Sequence, residues 1–168
     1  MCFSIETEHL ILRKFNEKDG NDFFKITRDY DIIDYLPYVF TDSPKEAFKL
    51  LKAYITNCNL VTDFYLAIEE KSSHKLIGAL IITKGPYLND FEVAYFITNT
   101  HRRHGYMSEA LNGFINSDLS KNKTLSFQIY KDNLASLSVI EKLDGIVDNS
   151  FLLKEESRDF FLFHYHID

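Results

Sequence analysis

Short apolar blocks alternate with polar turns along this chain, and the spacing within each block predicts its element. Residues 9–15 read as a first strand. A polar segment, 16–19, then opens a helix through Phe23, Phe24 and Ile26. Ser43, Pro44 and Glu46 mark a second helix start: a capping hydroxyl, a proline at the first helical position and an acid placed to complete a capping box. Ala47, Phe48, Leu51, Tyr54 and Ile55 continue it at helical spacing. Between the two helices, residues 30–40 form a loop rich in Tyr and Asp.

Residues 64–69 and 76–83 predict a hairpin about the polar turn 71–74, and residues 91–97 a further strand. Residues 105–119 predict a helix with Met107, Ala110, Leu111, Phe114 and Ile115 on one face. A strand at 125–130, a helix at 133–143 and closing strands at 147–153 and 160–167 complete the chain. The order β-α-α-β-β-β-α-β-α-β-β predicts an α/β (α+β) fold, a mixed sheet with helices on its faces. No repeat, low-complexity tract or Pro/Gly/Ser-rich linker interrupts it, so residues 1–168 are expected to form a single domain.

Composition narrows the class. Hydrophobic residues make up 45% and charged residues 26% of the 168 positions, ordinary for a globular protein. No apolar run reaches the ~20 residues that span a bilayer, and the first residues lack the basic-then-apolar pattern of a secretory signal. Two cysteines, Cys2 and Cys58, are too few for a disulfide framework and have no base signature nearby. A cytoplasmic location with no membrane partner is the expectation. The net charge of −6 disfavours nucleic acid as a partner, which needs a basic face, and weakly suits a cationic one. An RNA-binding sheet using its many aromatics is set aside for lack of a Lys/Arg stripe.

The segment from Phe91 to Leu111 carries the chemistry. An apolar strand runs into a polar loop, Thr100-His101-Arg102-Arg103-His104-Gly105, and an amphipathic helix begins at once. The first amides of a helix lack internal acceptors and sit at the positive end of its dipole. Gly105 permits close backbone approach, and the arginines add positive charge, so a pyrophosphate is the natural guest. A solvated surface loop is the plain alternative. Neither a Walker loop nor a Gly-x-Gly-x-x-Gly loop fits the spacing.

Arg102-Arg103-His104-Gly105-Tyr106-Met107 resembles the Arg/Gln-x-x-Gly-x-Gly/Ala phosphate loop of the GNAT superfamily of N-acetyltransferases, with Met107 replacing the small last residue. Glu92-Val93-Ala94-Tyr95 before the loop and Gly105-Tyr106-Met107-Ser108-Glu109-Ala110-Leu111 after it look like the RimJ/RimL branch. Asn133-Leu134-Ala135-Ser136 and Glu141-Lys142-Leu143 resemble that branch's Asn-x-x-Ser helix and its Glu-Lys-Leu end, although Asp144-Gly145 alters the turn by one residue. The opening Glu6-Thr7-Glu8-His9-Leu10-Ile11-Leu12-Arg13 and the late Arg158-Asp159-Phe160-Phe161 also fit. The resemblance covers nearly the whole chain and implies a GNAT-like, mostly antiparallel seven-stranded sheet with about four helices.

It also implies direct attack of a neutral amine on the thioester of acetyl-CoA. The acceptor would be a protein N-terminal amine, a polyamine or a small-molecule amine, and the protein a monomer or homodimer. Cofactor binding would fall to Arg102, Arg103, His104, Gly105, Tyr106, Met107 and Ser108, with backbone groups at Ile97 and Thr98 meeting the pantetheine arm. Those backbone groups come free only where the fourth predicted strand splays from the fifth, usually through a bulge.

Glu92 is the candidate base, partly desolvated on a mostly apolar strand; the plain reading is a solvated glutamate at a strand end. Ser136 is the candidate partner for the departing thiolate. Many members use a Tyr seven residues after the helix-opening Asn, but that position is Ile140 here. Asn133 is a candidate cofactor contact and equally an N-cap. Asp34, Tyr35 and Tyr38 are candidates for the acceptor site, since Tyr rings and carboxylates suit an ammonium; a loop merely covering the sheet reads as well. His164 and His166 share a strand face, a weak metal signal, and no metal is expected. Met107 and the Asp144-Gly145 turn motivate the competing reading, a GNAT-like module that binds acyl-CoA without turnover.

Overall fold

A computed structural model describes residues 3–87, 89–143, 147–154 and 158–167. The elements are β1 (Ser4–Glu6), β2 (Leu10–Lys14), α1 (Gly20–Thr27), α2 (Pro44–Asn57), β3 (Asp63–Glu70), β4 (Lys75–Lys84) and β5 (Asp90–Ile97). α3 (Tyr106–Ile115), β6 (Thr124–Tyr130), α4 (Leu134–Ile140), β7 (Val147–Lys154) and β8 (Asp159–His166) follow. The strands form one sheet in the order β1-β2-β3-β4-β5-β6-β8-β7. Every neighbouring pair is antiparallel except β5 and β6. All seven strands expected from the pattern are present, and the short β1, paired to β2, adds an eighth at the edge.

α2 begins as its sequence dictates. Ser43 accepts the Glu46 amide, Pro44 needs no partner for a missing N–H, and the Glu46 carboxylate accepts the Asp42 amide at 3.0 Å. α3 stops four residues before the pattern does. The Ser117 hydroxyl donates to the Phe114 carbonyl and the Ser120 hydroxyl to the Ile115 carbonyl, which satisfies the last turn and ends the helix.

Helices cover both faces of the sheet, so β4 is buried at nearly every residue. On one face, Met107, Ala110, Leu111 and Phe114 of α3 pack on Leu12, Leu66, Ile68, Leu80 and Phe127. On the other, Phe23 and Ile26 of α1 and Leu51 and Tyr54 of α2 pack on Ala67, Ala79, Ile81 and Phe96. The orientation of α3 is fixed by Glu109, whose carboxylate accepts from the Thr7 hydroxyl, the His9 amide (2.7 Å) and the His9 ring (3.0 Å). Among the described residues no helix is long and apolar enough to cross a membrane.

Candidate active site

The sheet comes apart at one place. β5 stays paired with β4 as far as Gly78 opposite Ile97, and the Thr98 amide extends the ladder by donating to the Ile77 carbonyl at 2.8 Å. β6 stays paired with β8 from Thr124 to Tyr130. Between β5 and β6, only Asp90, Phe91 and Glu92 pair, with Thr124, Leu125 and Ser126. Past Glu92 and Ser126 the strands part, leaving a V between residues 93–97 and 127–130. Gly78 keeps β5 flush against β4: a Cβ there would stand 2.4 Å from the Phe96 carbonyl oxygen. The β4–β5 register is continuous, so β5 leaves β6 without the expected bulge.

Backbone polarity alternates along a strand. The Thr98 amide is engaged by Ile77, so Thr98 does not offer it to a ligand. By the same alternation the Ile97 and Tyr95 amides point to the edge that β6 has left. The Ile97 carbonyl lies 3.4 Å from Arg102 Nε.

Beyond β5, a short turn at Asn99–His101 leads to the loop that starts α3. Arg103 and Gly105 both adopt left-handed conformations, with φ of 64° and 80°. That curls successive amides toward one side. The amides of residues 103–108 donate to no acceptor among the described residues; the first to do so is Glu109, to the Gly105 carbonyl. Nothing lies within 4 Å of the position a Gly105 Cβ would take, so the concavity is open.

Side chains around the loop sort themselves. Arg103 is exposed. Arg102 is committed elsewhere, to Asp31 at 2.6 Å and Asp29 at 3.1 Å, and so fastens the loop to the start of the Tyr-rich loop. His104 donates Nδ1–H to the Arg102 carbonyl and stacks on Tyr106, whose hydroxyl donates to Glu70. Met107 is buried in the core rather than turned to the loop, and Ser108 is buried beside it.

The two faces of the V differ. Val93, Tyr95 and Ile97 face α3 and α4. Burial pushes the Tyr95 hydroxyl up to about 12, so it stays a donor, and it reaches the Ser136 carbonyl at 3.3 Å. Asn133 caps α4 by accepting the Ser136 amide, and the half-buried Ser136 hydroxyl has no partner among the described residues. The opposite face carries Glu92, Ala94 and Phe96. Glu92 is exposed, not desolvated as its apolar strand suggests, because α1 and α2 cover β2–β4 and stop short of it. Tyr38 lies near it: desolvation first, then the charge of Glu92, raises the Tyr38 hydroxyl.

Sequence reasoning missed the residue that ties this face together. The Arg158 guanidinium lies over the rings of Tyr35 (4.9 Å) and Tyr130 (4.5 Å), donates to the Asp34 carbonyl at 2.7 Å and pairs with Asp132. One side chain thus fixes the Tyr-rich loop, the end of β6 and the approach to α4. Its only signal in the sequence was its place in the Arg-Asp-Phe-Phe motif. Tyr95 and the pair Asp29 and Asp31 were likewise given no separate role. No group of three metal-capable side chains occurs among the described residues, Cys58 is buried and free, and Cys2 and the Asp144-Gly145 turn lie outside them.

A family profile described as the Acetyltransferase (GNAT) domain matches residues 9–145. The chain therefore belongs to the GNAT acetyltransferases, enzymes that use acetyl-CoA as donor. Among solved structures, a GNAT-family acetyltransferase from Bacillus anthracis is 17% identical with a TM-score of 0.82, covering 98% of each chain. The ribosomal alpha-N-protein acetyltransferase RimL in complex with coenzyme A is 16% identical, TM-score 0.78, covering 99% of each. A microcin self-immunity acetyltransferase in complex with acetyl-CoA and AMP is 14% identical, TM-score 0.77, covering 95% of this chain and 93% of that one. At these identities the structures show the shared fold. No curated protein gives a significant match.

Proposed function

We propose that this acetyltransferase moves the acetyl group of acetyl-CoA to a primary amine by direct attack, in the manner of the RimJ/RimL branch. The observation that carries the reading is the V between β5 and β6, placed beside a run of unpaired amides at residues 103–108. The fit to the cofactor rests on the same features: a concave, open run of donors for a diphosphate and a free strand edge for an amide-bearing arm.

In this reading the amides of Arg103, His104, Gly105, Tyr106, Met107 and Ser108 hold the diphosphate, with the Arg103 side chain adding charge from solvent. Arg102 shapes the loop through Asp29 and Asp31. The Ile97 amide, at the free edge, is the donor for the developing oxyanion. Bound acetyl-CoA supplies the activated acetyl thioester. Ser136, reached from the α3 side, hydrogen-bonds the departing sulfur, and Asn133 holds Ser136 in place. The amine comes from the opposite face, past Asp34, Tyr35 and Tyr38, and Glu92 takes up its ammonium and receives its proton through a water. The acceptor is a protein N-terminal α-amine, a polyamine or another small amine, used in the cytoplasm.

Met107, one ground for a module without turnover, is buried in the core and leaves its amide available, which supports the active enzyme. Calorimetry with acetyl-CoA, followed by a thiol-release assay across α-amines, polyamines and small amines, tests the proposal. Saturable heat and release of thiol with at least one amine are expected; heat without release on any amine overturns the enzyme in favour of the module.

A further inference from the structure

At the apex of the V, where β5 and β6 last touch, a chain of polar side chains, buried at Asp90 and Ser126, crosses three strands. Glu92 on β5 stands opposite Ser126 on β6, and Ser126 stands opposite His164 on β8. Directly paired residues point to one face of a sheet, so all three share the face by which the amine enters. Asp90, one row back on the same face, is buried and accepts the Ser126 hydroxyl. His164 Nδ1 lies 3.0 Å from the same hydroxyl oxygen.

Proton counting fixes the direction of this chain. A serine hydroxyl has one hydrogen, and Asp90 receives it. His164 Nδ1 therefore carries hydrogen and donates to the Ser126 oxygen. In the neutral ring the lone pair then sits on Nε2, which has no partner among the residues whose side chains are described, those of β7 lying outside them, and His164 is only half-buried. The ring is thus held in one tautomer with its basic nitrogen turned away from the buried Ser126 and Asp90. The other titratable groups around it are Glu92, His166, which is bonded to Thr124, and Asp148, its register partner on β7.

We infer that His164 is a second proton acceptor for the acceptor amine, oriented by Ser126 and Asp90. This rests on the acetyltransferase reading above. Two strand spacings, about 10 Å of backbone, separate Glu92 from His164, a gap that water bridges. Glu92 holds the incoming ammonium; one N–H bond of the ammonium breaks, its electron pair stays on nitrogen as the attacking lone pair, and the proton passes through water to the Glu92 carboxylate and from there, through water, to His164 Nε2. The imidazolium returns that proton to bulk water, and the ring is ready for the next turnover. An imidazole is by nature a stronger base than a carboxylate, which is what a carboxylate-only site lacks for an ammonium.

The test uses the full-length protein with acetyl-CoA and the best amine of the panel. H164A is expected to lower kcat at least about tenfold, within the range that general bases contribute, with acetyl-CoA affinity and melting temperature near those of the wild type. Added imidazole is expected to restore part of the lost rate to H164A and none to E92Q. S126A, which frees the ring to change tautomer, is expected to lower kcat less than H164A. Unchanged kcat in H164A overturns the inference and leaves the acetyltransferase reading standing. A loss that imidazole does not rescue in a variant that still binds acetyl-CoA also overturns it, since the role is then structural. Absence of acetyl transfer by the wild type to every amine sinks both.

Discussion

Gly105 is the residue on which the phosphate reading turns most directly. Its φ of 80° lies where side chains are strained, yet the space beside it is open, so backbone geometry and exposure, not crowding, require glycine. Gly105→Asp places a carboxylate over amides that favour an anion, and acetyl-CoA affinity measured by calorimetry is expected to fall at least about tenfold. Glu92 tests the other face. Glu92→Gln keeps shape and removes charge; kcat is expected to drop by about 100-fold, in the range general bases contribute, with the acetyl-CoA Kd within about twofold. Steady-state kinetics and calorimetry on one preparation check both halves. Single residues also mark where sequence reasoning stopped. Arg102 carries the right chemistry for a phosphate, but its partners Asp29 and Asp31 lie some seventy positions earlier, and nothing local announces the pairing.

Among the elements, α3 matters most because it carries the donors, and its position depends on one carboxylate. Partial burial alone would push the Glu109 carboxyl up; the Thr7 hydroxyl, the His9 amide and the His9 ring outweigh it and hold the group below its ordinary value of 4.5. The folded state thus binds this proton less readily than the unfolded chain. Its contribution to stability is complete above about pH 4.5 and is lost as the pH falls through the lower folded value. Glu109→Gln is expected to cost about 1–3 kcal/mol at pH 7, the scale of hydrogen bonds to a charged group, and to flatten the acid limb of the stability curve. Urea melts of wild type and variant at pH 7 and pH 3.5 test it: the gap between them should shrink at the lower pH. The V is likewise a property of elements. β5 and β6 each have a full partner on their outer side, so neither needs the other beyond three residues.

For the whole molecule, the arrangement divides labour between the two sides of one sheet. The donor loop, Tyr95 and Ser136 lie toward α3 and α4, while Glu92, the Tyr-rich loop and His164 lie on the face that α1 and α2 only partly cover. Saturating acetyl-CoA should stabilise the fold as a unit: at a hundredfold excess over Kd the gain is about 2.7 kcal/mol, which for a domain of this size is a rise of about 5–11 °C in Tm. A thermal scan with and without cofactor reads it, and no rise would count against the loop as a binding site. The sequence by itself determined the elements and the family, because apolar periodicity, the Ser43-Pro44 start and the Arg102–Met107 motif are local patterns that survive on one line of text. It named Glu92, Ser136 and Asn133 through that motif order. Tertiary structure alone decided that β5 and β6 part without a bulge, that Arg158 clamps Tyr35 to Tyr130, and that Asp90, Ser126 and His164 meet. Those outcomes depend on which strands become neighbours, and register across this part of the sheet joins residues 30 to 42 positions apart whose spacing in the chain carries no trace of the contact.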